Sequence, residues 1–252
     1  MTRQRLKDFA SLSRAKGRRQ QGLFLVEGVR SVRSALLAGA PLAQVLVAVG
    51  DSEETERLAH SRGVPVDRVP ARDLDRIGDA RTSQGVIAVS RSIVSETVGE
   101  PPGPVLVLDG VQDPGNVGAI VRTAAWFGVR AIIADTRSAD FESPKAVRAS
   151  MGGLWDLHLS RVEDLPHAVD LLADAGVDLW GADLDGVPAG DWSPGPHTGL
   201  ALGSEAHGLS EGVRQRVQGR VSVPAGASSE GRGVESLNVS VAAGVLLARW
   251  LG

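Results

Sequence analysis

The chain has 252 residues, 42% of them hydrophobic and 23% charged, with a mean hydropathy near zero and a formal net charge of −3 at pH 7. That profile fits a globular protein with ample length for a buried core, and it excludes a disordered or membrane-spanning chain as the expectation. With no cysteine at all, disulfide frameworks, thiolate zinc sites, iron–sulfur clusters and cysteine nucleophiles are excluded. The histidines, His60, His158, His167, His197 and His207, are dispersed and never paired at helical spacing, so no metal site is expected. No signal-peptide core follows the basic start at Met1 to Lys7, which makes the cytoplasm the expected location and a membrane partner unexpected.

The charges are unevenly spread. Residues 1–33 hold Arg3, Arg5, Lys7, Arg14, Lys16, Arg18, Arg19, Arg30 and Arg33 against only Asp8 and Glu27, nine minus two, or +7. Two readings stay open: a solvated amphipathic helix, or an arm in which Arg14, Lys16, Arg18, Arg19 and Arg30 pair with nucleic-acid phosphates.

Apolar runs at 23–26, 45–49, 64–69 and 86–89 alternate with helix-like segments at 31–38 and 53–60, each closed by a glycine, Gly39 and Gly63. This is an α/β pattern. The Ser-, Glu-, Pro- and Gly-rich stretch 90–104 reads as a linker, so a first domain over 1–95 and a second over 104–252 are expected. The run Val105-Leu106-Val107-Leu108 has the continuous apolar character of a strand buried on both faces of a parallel sheet. A helix over 116–127 should follow it. Further strands are expected at 131–134, 177–182, 200–202 and 221–223, and helices at 143–149, 162–175, 210–217 and 237–250.

Phosphate-loop signals fail on inspection. Gly226 to Gly233 has the glycine spacing of a Walker A loop, but Arg232-Gly233 stands where Lys-Ser/Thr would bind phosphate and magnesium. The turn after the 105–108 strand does not fit the G-x-G-x-x-G dinucleotide fingerprint either.

Three polar clusters instead stand at strand ends, where open α/β sheets bind ligands. They are Asp109-Gly-Val-Gln-Asp113-Pro114-Gly115-Asn116-Val-Gly118-Ala-Ile-Val-Arg122, then Leu202-Gly203-Ser204-Glu205-Ala206-His207-Gly208-Leu209-Ser210, and Glu235-Ser236-Leu237-Asn238-Val239-Ser240. Each residue has a plain alternative: Asn116 an N-cap, Arg122 a snorkelling helix residue, Glu205 an acid stabilising a first helical turn, Ser236 and Asn238 caps of the final helix.

In order and flanking sequence the clusters resemble the three motifs of the SpoU (TrmH-like) family of RNA 2′-O-ribose methyltransferases, within the SPOUT superfamily. Ala146-Val-Arg148-Ala-Ser150-Met-Gly152 resembles a further family segment, and Leu25-Val-Glu27-Gly28-Val-Arg30 is similar to the L30e-like RNA-binding domain that many members carry. The resemblance covers roughly residues 104–250. It implies an α/β fold whose parallel sheet ends in a C-terminal trefoil knot, S-adenosylmethionine as cofactor, and a homodimer formed through the knotted domain.

Carried over residue by residue, the resemblance makes Asn116, Arg122, Glu205, Ser236 and Asn238 catalytic, with Gly203, Val223 and Leu237 at the donor. Asn116 would orient Arg122 or the ribose, Glu205 would fix the active loop, and Ser236 and Asn238 would hold the acceptor side. Arginine is a poor general base, since reaching the neutral guanidinium at pH 7 costs roughly 7 kcal/mol, so an electrostatic role for Arg122 is expected. The stretch Ala225 to Val234 exceeds the family's usual turn, which bears on the donor pocket or on RNA contacts. The expected partner is RNA, most simply ribosomal RNA. Two rival readings are a transfer-RNA ribose methyltransferase and a catalytically inactive ribosome-binding or assembly factor.

Overall fold

The computed structural model describes residues 1–49, 53–78, 84–99, 101, 103–226 and 235–252. Residues 227–234 of the longer turn, and with them Gly231 and Gly233 of the Walker-like spacing, lie outside the described residues. Contacts divide the chain into two compact units, Met1–Ile93 with Asp140–Asp156, and Val94–Ala139 with Leu157–Gly252.

The first unit opens with α1 (Arg3–Ser11) and α2 (Ala15–Gln21), followed by β1 (Leu23–Glu27), α3 (Val29–Leu37), β2 (Leu42–Ala48), α4 (Glu53–Ser61), β3 (Val66–Val69), α5 (Ala71–Ile77) and β4 (Val86–Arg91). Its four-stranded sheet runs β1-β4-β2-β3, antiparallel except for the β2–β3 pair. The basic start of the chain is therefore helical, yet it is not simply solvated: Phe9 and Leu12 are buried in one cluster with Leu25, Leu46, Leu74 and Ile87. Apolar residues spaced three apart anchor one side of the first helix and its end, and the cations project elsewhere.

The second unit contains β5 (Val94–Ser95), β6 (Val105–Asp109), α6 (Pro114–Trp126) and β7 (Ala131–Asp135). The chain then gives α7 (Pro144–Ser150) to the first unit and resumes with β8 (His158–Val162), α8 (Leu165–Asp174), β9 (Asp178–Pro188), β10 (Thr198–Gly203), α9 (Glu211–Arg214), β11 (Gly219–Ser222) and α10 (Val239–Leu251). All seven strands are parallel, in the order β11-β9-β10-β6-β7-β8-β5. Every residue of β6, β7 and β10 is buried, as continuous apolar runs demand when helices cover both faces. Each fully buried Val or Leu there contributes about 1.5–3 kcal/mol.

Several elements differ from expectation. Part of the anticipated linker forms the edge strand β5, paired to β8 through Val94 and Leu159. The strand β8 itself, His158-Leu-Ser-Arg-Val, mixes exposed and buried positions and occupies the start of what the pattern suggests is a helix from 162. Asp164 caps the true helix by accepting from the His167 N–H, with a proline in its first turn. The helix expected at 210–217 shrinks to the four residues of α9.

Residues 140–156, read from sequence as part of the second domain, belong to the first unit through specific contacts. Arg18 pairs with Asp140 at 2.6 Å, Trp155 stacks on Phe24 at 6.0 Å, and Arg148 meets Glu27 at 3.6 Å.

Candidate active site

In the seven-stranded sheet the chain steps outward from β6 to β7 and β8, then crosses to β9 and returns to β10 beside β6. The order reverses between β6 and β10, and such a switch point leaves a crevice at the strands' carboxyl ends. Two expected clusters meet there, since Asp109 at the end of β6 is in register with Gly203 at the end of β10.

Asp113 caps α6, its Oδ1 accepting the N–H groups of Gly115 at 2.5 Å and Asn116 at 3.2 Å, with Pro114 opening the helix. Asn116 is therefore not the cap, and its side chain is left for other partners. Its Nδ2 donates to Glu205 Oε1 at 2.8 Å, and its Oδ1 accepts from Asn238 Nδ2 at 3.1 Å. Asn238 Nδ2 also donates to the same Glu205 oxygen at 2.7 Å. Asn238 does cap α10, its Oδ1 accepting from the Ser240 N–H at 3.0 Å, so the plain reading holds alongside the trio. One carboxylate oxygen is thus pinned by two amides from distant segments, while Oε2 has no partner among the described residues.

Beside the trio lies a cavity of about 390 Å³ lined by Gly203, Glu205, Val223, Ser236 and Leu237, together with apolar Leu202, Leu209, Val221 and Leu246. This is within the range of roughly 300–1,000 Å³ typical of small-molecule sites. Gly203 earns its place for a reason other than close approach of a ligand. A methyl at this position would overlap the Gly208 carbonyl and the Leu209 amide, because Ser204 and Gly208 form a tight bridge directly over it.

Arg122 is exposed on α6 and has no hydrogen bond or ion pair with the described residues. At six positions from Asn116 it lies roughly 120° around the helix. Of the two roles expected for Asn116, orienting Arg122 or orienting the ribose, the first has no contact behind it among the described residues, since the Asn116 amide meets Glu205 and Asn238.

The cavity has polar lining outside the three clusters, Asp183, Asp185 and Arg214, beside His207 of the second cluster. Burial pushes the Asp183 carboxyl up, but the Asp185 N–H at 3.1 Å and the Arg220 guanidinium at 3.0 Å outweigh it and hold the group below its ordinary value. The signal was a pair of acids just past an apolar strand, at 183 and 185, but the expected strand stopped at 182 and left them in a loop.

Of the cations expected to meet RNA, Arg14, Lys16, Arg19 and Arg30 are exposed. Arg18 is a correction. It is 6% exposed, its Nε and Nη2 donate to Asp140 Oδ2, and its Nη1 donates to the Leu12 and Ser13 carbonyls. A guanidinium so committed cannot also pair with phosphate.

With this geometry established, the sequence matches the SpoU rRNA Methylase family over residues 103–248 and the MRM3-like substrate binding domain over 3–88. It is 35% identical over 240 residues, 89% of this chain and 74% of the other, to a Mycolicibacterium vanbaalenii protein described as an uncharacterized tRNA/rRNA methyltransferase. The AdoMet-bound rRNA methyltransferase from Sinorhizobium meliloti superposes with a TM-score of 0.85 at 26% identity, covering 99% of this chain and 94% of that one. A solved RNA 2′-O ribose methyltransferase gives a TM-score of 0.79 at 27% identity, covering 98% and 95%.

Proposed function

The chain belongs to the SpoU rRNA methylase family and is an S-adenosylmethionine-dependent RNA methyltransferase, and we propose that it methylates a ribose 2′-oxygen in ribosomal RNA. The observation that carries this is the convergence of Asn116, Glu205 and Asn238 on one carboxylate oxygen at the edge of the cavity lined by Gly203, Val223 and Leu237.

The cavity suits the donor: apolar walls accept an adenine, and with Asp183 paired to Arg220 the remaining lining charges, Asp185 and Glu205 against Arg214, favour a molecule carrying positive charge. S-adenosylmethionine supplies an electrophilic methyl on a sulfonium. Gly203 keeps the β10 loop closed so that the backbone lines the pocket, with Val223 and Leu237 as side walls. Ser236 faces the same cavity and contributes a hydroxyl toward the acceptor.

The acceptor hydroxyl must be oriented and must lose a proton as its oxygen takes the methyl. Glu205 meets both needs, because the amides of Asn116 and Asn238 fix Oε1 and leave Oε2 to receive the proton. Arg122, exposed and uncommitted, clamps a neighbouring phosphate and stabilises negative charge growing on the oxygen.

Substrate holding falls to the N-terminal domain, with Arg14, Lys16, Arg19 and Arg30 as phosphate contacts, and methyl transfer to the C-terminal domain. The family's knot and homodimer go with this reading. Trp126 on α6 and Val241 and Val245 on α10 are 84%, 51% and 42% exposed on helices that pack together, the kind of apolar face a second copy would cover.

The test is methylation of RNA from cells lacking the gene, followed by digestion to nucleosides and mass spectrometry. A 2′-O-methylated nucleoside in ribosomal RNA is expected. A base-methylated product overturns the ribose assignment, a product confined to transfer RNA overturns the substrate, and absence of donor binding by calorimetry identifies a non-enzymatic assembly factor. Arg122→Ala should keep donor affinity within a few-fold and lower turnover about a hundredfold; unchanged turnover removes Arg122 from the site.

A further inference from the structure

Behind the trio, two carboxylates sit at neighbouring strand ends: Asp109 on β6 and Asp135 on β7, 1% and 3% exposed. Two buried like charges side by side are costly, and such groups add little stability over apolar packing even when paired. Here one side chain bridges both. Arg137 Nη2 donates to Asp109 Oδ1 at 2.5 Å and its Nε to Asp135 Oδ2 at 2.6 Å, although Arg137 itself is 60% exposed.

Each carboxylate spends its other oxygen on a different loop. Asp109 Oδ2 accepts the Ser210 N–H at 2.6 Å, closing the segment that carries Glu205. Asp135 Oδ1 accepts the Gly110 N–H at 3.0 Å and the Ser138 hydroxyl at 2.6 Å, and Ser138 Oγ accepts the Val111 N–H at 3.0 Å. Those last two amides open the segment that leads to Asn116. The two loops thus hang from one guanidinium, and they carry the two residues whose 2.8 Å hydrogen bond forms the trio.

We propose that Arg137, through Asp109 and Asp135, is a brace that sets the Asn116 loop against the Glu205 loop, making Arg137 a positioning residue for methyl transfer. The proposal rests on the reading of Glu205 given above. Among the described residues, the charged or titratable groups facing the brace from neighbouring elements are Arg161 of β8, which donates to the Thr136 and Ser138 carbonyls, and the exposed His207 of the β10–α9 loop. Burial raises the Asp135 carboxyl, but hydrogen bonds from Ser138, Gly110 and Arg137 hold it below its ordinary value.

Arg137→Ala strips the shared cation from two buried carboxylates and should lower Tm, so with Arg137→Lys, which keeps the charge, as the folded control, it is assayed below that Tm. Its kcat should fall at least tenfold with donor Kd and RNA KM within about threefold of wild type. The acid limb of kcat should move to higher pH, as Asp135 loses the cation beside it, and Arg137→Lys should restore part of both effects. Hydrogen–deuterium exchange should rise together in peptides spanning 110–118 and 203–211, a readout that needs no substrate. Wild-type kcat and acid limb, or exchange that rises in neither loop or only one, would overturn the brace. If the wild-type protein transfers no methyl to RNA, the reading of Glu205 fails, and the exchange measurement still decides the brace.

Discussion

Replacing Asn116 by alanine isolates the trio from the stability of the fold. The substitution removes one donor to Glu205 Oε1 and one acceptor for Asn238, at 2.8 and 3.1 Å, and leaves the α6 cap intact because Asp113 supplies it. A hydrogen bond to a charged group is worth about 1.5–3 kcal/mol, and the lower end applies because these partners are solvent-accessible. If that interaction orients Glu205 in the transition state, about 1.5–2.5 kcal/mol corresponds to a fall of roughly ten- to seventyfold in kcat. Donor affinity should stay within twofold, since Asn116 does not line the cavity. Steady-state methyl transfer with saturating donor, with calorimetry for Kd and thermal unfolding for Tm, separates these quantities. As a control, Asp113→Ala removes the cap and should lower stability by about 1 kcal/mol. An Asn116→Ala enzyme with wild-type kcat, or one whose loss is entirely in donor affinity, would refute the assignment of Asn116 to the orientation of Glu205.

Gly203→Val should abolish donor binding measured by calorimetry, because the side chain collides with the loop backbone at Gly208 and Leu209; retained affinity would detach the loop from the pocket. Replacing Arg14, Lys16 and Arg19 by Gln should weaken RNA binding and flatten its salt dependence, by up to about 0.9 in log–log slope per lost duplex contact. Parallel slopes with equal affinity would return these residues to plain solvated cations. Glu142 gives a pH signature. Burial pushes its carboxyl up, against the Ile93 N–H and the Ser92 hydroxyl, each donating at 2.8 Å. The folded state therefore holds this proton more tightly than the unfolded chain. The stability it contributes is complete below the unfolded value of about 4.3 and is lost as pH rises through the raised folded value. In urea unfolding from pH 4 to 7, Glu142→Gln should lose less stability than wild type as pH increases, and parallel curves would rule the effect out.

Where local physics is decisive, the sequence alone was enough. The apolar runs at 105–108, 131–134 and 200–202 became fully buried parallel strands, because burial on both faces leaves no room for a polar position. The motif order was equally legible. What no local pattern contains is which distant side chains meet. Asn116, Glu205 and Asn238 lie 89, 33 and 122 positions apart in pairs, and only the reversal of strand order between β6 and β10 brings two of these segments to one crevice. Charge is similarly mute about direction: Arg18 and Arg19 are neighbours in one basic run, yet one is buried against Asp140 and the other faces solvent. That choice belongs to residues 140–156, whose packing on β1 through Phe24 and Trp155 is a long-range apolar contact. Helical periodicity, which spans a turn or two, carries no information about it.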